Sequence, residues 1–257
     1  MNKVFAVSTV VIKELVRRKD FYVLFVLTAL LTLMMGSITF FEQDSIVRYV
    51  KEICLMLIWV STLVIAVTTA ARQIPAERES RTIFPLLAKP ISRTQIMIGK
   101  FLGCWLAVGI ALVVFYGFFA VISVAREHDL PLLNYVQALW MHWMMLGIVI
   151  ALTLVGSLIL TPSANVSIVI LIALAILLVG EFLNQVAARS GGIVGSIIYL
   201  VYFAMPHLEL FDLRPRIIHQ WAPVSIQAIS LGSVYAIAYM ALFLTGAALL
   251  FRRKPLN

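Results

Sequence analysis

Six apolar runs, each near or above the length needed to cross a bilayer, divide this chain and leave little room for anything else. They fall at about 21–41, 53–71, 101–124, 138–160, 165–183 and 231–251. A helix needs roughly 20 predominantly apolar residues to span the hydrocarbon core. Hydrophobic residues make up 62% of the chain and charged residues 12%, where a soluble domain carries about a quarter charged. The expected fold is therefore an all-α polytopic membrane protein, a single domain over 1–257 with hardly any soluble mass.

The segment 72–100 is the one long polar interruption. It holds Arg72, Arg78, Arg81, Lys89, Arg93 and Lys100 against Glu77 and Glu79, a net charge of +4. Short loops rich in Lys and Arg stay on the cytoplasmic side. The N-terminal cluster (Lys3, Lys13, Arg17, Arg18, Lys19) and the tail cluster (Arg252, Arg253, Lys254) bring that side to 14 of the 20 basic residues. Both termini are thus expected inside, which requires an even number of crossings. The net charge of +8 is then a topology signal and a contact for anionic lipids, with no nucleic acid implied.

Around these spans, residues 3–20 read as an interfacial amphipathic helix. Val4, Val7, Val11 and Leu15 lie on one half of the wheel and Lys3, Lys13, Glu14 and Arg17 on the other. The run 192–205 is too short to cross. Parity makes it part of a re-entrant or interfacial segment, about 192–212, on the outer side between the fifth and sixth spans. Pro206 and Gly191, Gly192 and Gly195 are its expected bends. Cys54 and Cys104 fall near opposite ends of their spans and read as buried thiols. Gly99 and Gly103 form a small-xxx-small pair suited to close helix packing.

Within 72–100, Glu77 and Glu79 precede Ile83, Phe84, Leu86 and Leu87, and Lys89-Pro90 closes the run. A short amphipathic helix with a proline stop fits that order. Such a helix offers charge and an apolar ridge to a cytosolic partner. No phosphate-binding loop is present: Gly99-Lys100 is followed by Phe101, and Thr94 stands where the first Gly of that pattern belongs. No hydrolase or metalloprotease pattern occurs either, so no catalytic residue, cofactor or resident metal is expected. Met141, His142, Met144 and Met145 have ligand chemistry suited to Cu(I). With Trp140 and Trp143 they read first as an interfacial belt and packing filler. Glu181 and Asn184 are candidates to line a translocation path, against the plainer reading of an outer-interface Glu that reaches water.

Ile74, Glu77, Arg78, Glu79, Thr82, Leu86, Leu87, Pro90, Ile91, Arg93, Gly99 and Lys100 resemble the signature that type-2 ABC exporter permeases carry between their second and third spans. Arg81 stands where Gly often precedes the Thr. Met205-Pro206-His207-Leu208-Glu209-Leu210-Phe211-Asp212 is similar to a second segment of that family, with His207 in place of the usual Asn. The resemblance implies a permease subunit of a bacterial-type inner membrane, working as a dimer with itself or a related permease. It also implies a separate ABC ATPase that binds ATP and Mg and docks on a coupling helix. The ATPase-coupling residues would be Glu77, Arg78, Glu79, Arg81, Thr82, Phe84, Leu87, Pro90 and Arg93. The rival reading, a secondary transporter or assembly factor without an ATPase, would need ionisable groups at the membrane midplane. The first four spans hold no Asp or Glu.

Overall fold

The computed structural model describes residues 8–13, 22, 26, 29–30, 33, 44–75, 92–127, 131–190 and 192–253. Among these no strand occurs. The helices are α1 (Asp44–Arg72), α2 (Arg93–Glu127), α3 (Leu132–Ile159), α4 (Pro162–Arg189), α5 (Gly192–Ala204), the short α6 (Arg214–Ile218) and α7 (Ile226–Arg253), with a 3-10 turn at Leu208–Phe211. Among the described residues, four stretches are long and apolar enough to cross a membrane: Arg48–Arg72, Arg93–Val124, Leu132–Ile159 and Ile226–Arg252. They coincide with the expected second, third, fourth and sixth spans. The fifth falls on α4, whose described apolar stretch is Pro162–Leu177. Most of the expected first span lies outside the described residues. Its exposed members Tyr22, Val26, Leu30 and Leu33 follow the spacing of one helix face.

Helix α3 is the hub. It packs against α1, α2, α4 and α7, and 72% of its apolar window is buried, against 28% for α7. A helix that is apolar all round belongs in the middle of a bundle. Buried threonines inside the bundle bond locally. Thr62 donates to the Ile58 carbonyl at 2.9 Å and Thr153 to that of Val149 at 2.7 Å, which satisfies their hydroxyls where water is absent. Cys54 and Cys104 are buried and form no disulfide with each other.

Two expected boundaries move furthest. The residues between the first two expected spans are helical from Asp44. Helix α2 starts at Arg93 rather than near 101. A capping box sets this start: the Gln95 amide donates to Ser92 Oγ at 3.2 Å, and the Ser92 amide to Gln95 Oε1 at 3.0 Å. Eight residues assigned to the polar loop, 93–100, are therefore its first two turns. Residues 8–13 are helical and cross α2 so closely that a Cβ on Gly103 would lie 2.7 Å from Val11 Cβ. The rest of the expected 3–20 helix is outside the described residues.

Between α3 and α4 the chain reverses at Leu160 and Thr161. Asn165 Nδ2 donates to the Thr153 carbonyl at 2.9 Å, and its Oδ1 presses on the bare Cα of Gly156. The α4–α5 reversal uses Gly192, whose φ of +75° favours glycine. Helix α5 then runs back along α4. Gly195 lies inside α5 and marks no bend, and Gly191 is outside the described residues. At the foot of α5 the His207 amide donates to the Tyr235 hydroxyl at 3.0 Å, and the Tyr239 hydroxyl donates to the Met205 carbonyl at 3.4 Å. Those tyrosines lie about 14 and 20 Å along α7 at 1.5 Å per residue. The chain then climbs back. Asn134 Nδ2, near the start of α3, donates to the Arg216 and Trp221 carbonyls at 3.2 and 2.9 Å. Gln137 Nε2 donates to the Val224 carbonyl at 2.8 Å and Gln137 Oε1 accepts from the Val224 amide at 2.9 Å.

Candidate functional site

The root of the polar loop is built from the last turn of α1, the first turns of α2 and the end of α7. Lys100 is 3% exposed, and its Nζ donates to the Gln73 carbonyl at 2.9 Å and to Gln73 Oε1 at 3.3 Å. An ammonium against the last carbonyls of a helix is favourable both as a hydrogen bond and with the dipole. Ile74 is buried beside it. Ser8 Oγ donates to the Gly99 carbonyl at 2.9 Å, so the N-terminal helix is tied to the same turn of α2. The two ends of the loop are thus held together by one buried cation.

Arg93 makes the second brace. Its guanidinium donates to the carbonyls of Phe251 at 2.7 Å and Arg252 at 3.2 Å, with Cζ 5.6 Å from the Phe251 ring centroid. It caps α7 and links the start of α2 to the end of the last helix. Ser92, Arg93, Thr94 and Arg252 line a cleft of about 400 Å³ beside this brace. Of the expected coupling residues, Arg93 alone lies among the described residues. Glu77, Arg78, Glu79, Arg81, Thr82, Phe84, Leu87 and Pro90 lie outside them. Glu181 and Asn184 are carried on α4, but their side chains lie outside the described residues.

A second polar cluster sits deeper in the bundle. His142 is 2% exposed and bonds through both ring nitrogens. Nε2 is 3.2 Å from Thr62 Oγ1, and Nδ1 is 3.5 Å from the Tyr116 hydroxyl. Because Thr62 gives its proton to a backbone carbonyl of its own helix, its oxygen accepts from Nε2–H, and Nδ1 accepts from Tyr116. The imidazole is neutral in that pattern. Trp59 stacks on His142 at 5.9 Å, and Arg214 lies 5.4 Å over the Trp59 ring. Met141 packs its methyl against Gly232, and Met144 and Met145 are buried in the core. The Met-His cluster of the sequence is thus spread into packing, with the imidazole committed to hydroxyls. Among the described residues no group of three His, Cys, Asp or Glu side chains comes together as a metal would need.

Above the cluster, Arg214 Nε and one terminal nitrogen donate to the two Asp212 oxygens at 2.8 and 2.6 Å, and the Arg214 amide adds a third bond at 3.1 Å. Burial by itself would raise the Asp212 carboxyl; the bonds and charge of Arg214 outweigh it and hold the group below its ordinary 3.8. The Arg214 guanidinium, which burial by itself would lower, is raised by the same bonds. This fork is bidentate and belongs to the segment between α5 and α7, outside the four membrane-spanning helices. Sequence reading named Asp212 only as part of a family segment and did not mark Arg214 as a site residue. The Asp-x-Arg spacing was the available signal.

No curated protein matches the chain. The family model described as "ABC-2 family transporter protein" matches residues 6–254, from the N-terminal helix to the end of α7, and takes in both the loop root and the Asp212–Arg214 segment. The chain therefore belongs to the ABC-2 transporter family and is a multi-pass membrane permease of that type, a family whose ATPase is in general a separate subunit.

Proposed function

We propose that this chain is the membrane-spanning subunit of an ATP-driven exporter, and that a separate ABC ATPase drives it through the loop between α1 and α2. The observation that carries the reading is the double brace at the loop root. Lys100 on Gln73 joins α1 to α2, and Arg93 on the Phe251 carbonyl joins α2 to α7. A partner that moves on ATP binding must push on something that does not yield, and a loop with both ends clamped delivers its displacement to three helices at once. Six spans in an N-in, C-in arrangement make the braced end cytoplasmic and the α5–α6 segment an outer re-entrant arm. A bacterial-type inner membrane fits the basic clusters on that side. Hydrolysis falls to the partner, because the sequence carries no phosphate-binding loop.

Six spans without an internal repeat make half of a two-fold path, so the working unit is two permeases with two ATPases. Affinity-tagged chain extracted in mild detergent is expected to carry an ABC ATPase with it, in a complex whose mass fits two of each. One permease per two ATPases would count against the dimer. A chain that transports with no ATPase present would favour the secondary transporter.

A further inference from the structure

Trp105 and Trp143 make a reciprocal contact that none of the foregoing uses. Trp105 Nε1 donates to the Trp143 carbonyl at 2.9 Å, and Trp143 Nε1 donates to the Trp105 carbonyl at 2.9 Å. The rings stack at 4.4 Å with 16° between their planes. Each Trp is followed four residues later by a glycine, Gly109 on α2 and Gly147 on α3. In antiparallel helices this places each indole over the other helix's glycine. A Cβ on Gly109 would lie 2.6 Å from Trp143 Nε1, and one on Gly147 would lie 2.9 Å from Trp105 Nε1. The motif Trp-x-x-x-Gly thus occurs twice and closes on itself with local two-fold symmetry.

Its position gives it consequence. Trp105 lies twelve residues into α2 and Trp143 eleven into α3, about 18 and 17 Å from their helix starts, a third of the way along α2 and near the middle of α3. An indole N–H there has no water to fall back on, and the acceptors are backbone carbonyls, which cannot rotate away. Most packed helices slide past one another by small shear motions. A pair that bonds side chain to backbone in both directions, with bare glycine under each ring, resists sliding along either axis.

We infer that the Trp105–Gly147 and Trp143–Gly109 clasp locks α2 and α3 into one rigid lever that stays closed through the transport cycle. This rests on the coupling reading, since α2 begins at the loop the ATPase would drive. The lever carries the displacement of Arg93 and Lys100 to the hub of the bundle without loss, so the moving surfaces lie elsewhere.

The test uses the assembled permease–ATPase complex in lipid nanodiscs. Trp105→Cys and Trp143→Cys are combined with Cys54→Ala and Cys104→Ala, and the new thiols are joined with a short bis-thiosulfonate. The expected result is efficient cross-linking both without nucleotide and in the vanadate-trapped state, with ATP turnover of the cross-linked complex at least equal to that of the reduced one. Cross-linking in only one state, in neither, or with turnover lost and not recovered until reduction, would overturn the lever. A second variant, Trp105→Phe with Trp143→Phe, keeps both rings and removes both bonds. It is expected to assemble normally and to lose severalfold of the permease-dependent turnover, and unchanged turnover counts against the proposal. Unchanged ATPase binding and turnover in variants of the loop between α1 and α2 would sink the coupling reading. A failed clasp with the ATPase still bound sinks the lever alone.

Discussion

Lys100→Met should destabilise the permease by about 2 kcal/mol, the scale of a hydrogen bond to a buried charged group. The side chain keeps its length and most of its apolar stem. What disappears is the ammonium that faces the Gln73 carbonyl and side chain at the negative end of α1. For a chain of this size the cost corresponds to about 5 °C in apparent melting temperature, measured on detergent-solubilised protein. The functional loss should be larger than the thermal one, because the same bond joins the two ends of the loop. An unchanged melting temperature would mean that Lys100 is an ordinary interfacial lysine and that its burial contributes nothing.

Asp212→Asn should cost a similar amount, for a different reason. It leaves the Arg214 guanidinium, partly buried over Trp59, without its counter-charge. Breaking one side of a fully buried pair costs about 3–5 kcal/mol. Each partner here keeps about a quarter of its side-chain exposure, which brings the expectation to about 2 kcal/mol. The double change Asp212→Leu with Arg214→Met should cost less than Asp212→Asn alone, since removing both charges leaves nothing to solvate. The pH dependence has a definite sign. The folded carboxyl titrates below its ordinary 3.8, so the stabilisation is complete above that value and is lost only as acid is added below it. Between pH 5 and 8 this pair should give a flat stability profile, and Asp212→Asn should remove the pair's share of the acid-side fall. A double variant less stable than the single one would contradict this account.

The spans were legible because a bilayer leaves a composition signature that no tertiary context can erase. Charge asymmetry supplies the expectation for their orientation. Local capping was legible in principle and was missed. Ser92-x-x-Gln95 is a standard helix start, but it lies inside a basic, polar run, and α2 begins eight residues before the expected span. Lys100 was counted as one more loop cation, since a lysine in a basic run looks solvated until the carbonyl it reaches is known. The Met-His cluster shows how residue type alone leaves two readings open. Ligand chemistry was present in the right residue types, but Thr62 and Tyr116, distant in sequence, occupy both nitrogens of His142. The Trp clasp depends on the register of two antiparallel helices, and a sequence pattern does not fix that. The bends around α5 were read in part: Gly192 turns the chain, while Gly195 is a helical residue.

The account stands on the loop between α1 and α2 being the element the ATPase drives. The most direct measurement is ATP turnover and copurification of the ATPase with two variants, Glu79→Lys and Phe84→Ala. The first reverses a charge offered to the partner; the second empties the place of an aromatic anchor, a truncation that commonly costs an interface about 2 kcal/mol or more. Neither position lies in the described helices that cross the membrane, so expression and melting temperature of the permease should match the unmodified chain. The expected result is a weakened complex, or an intact one whose turnover falls to that of the free ATPase. Unchanged copurification and unchanged turnover in both variants would mean that the ATPase drives the permease somewhere else.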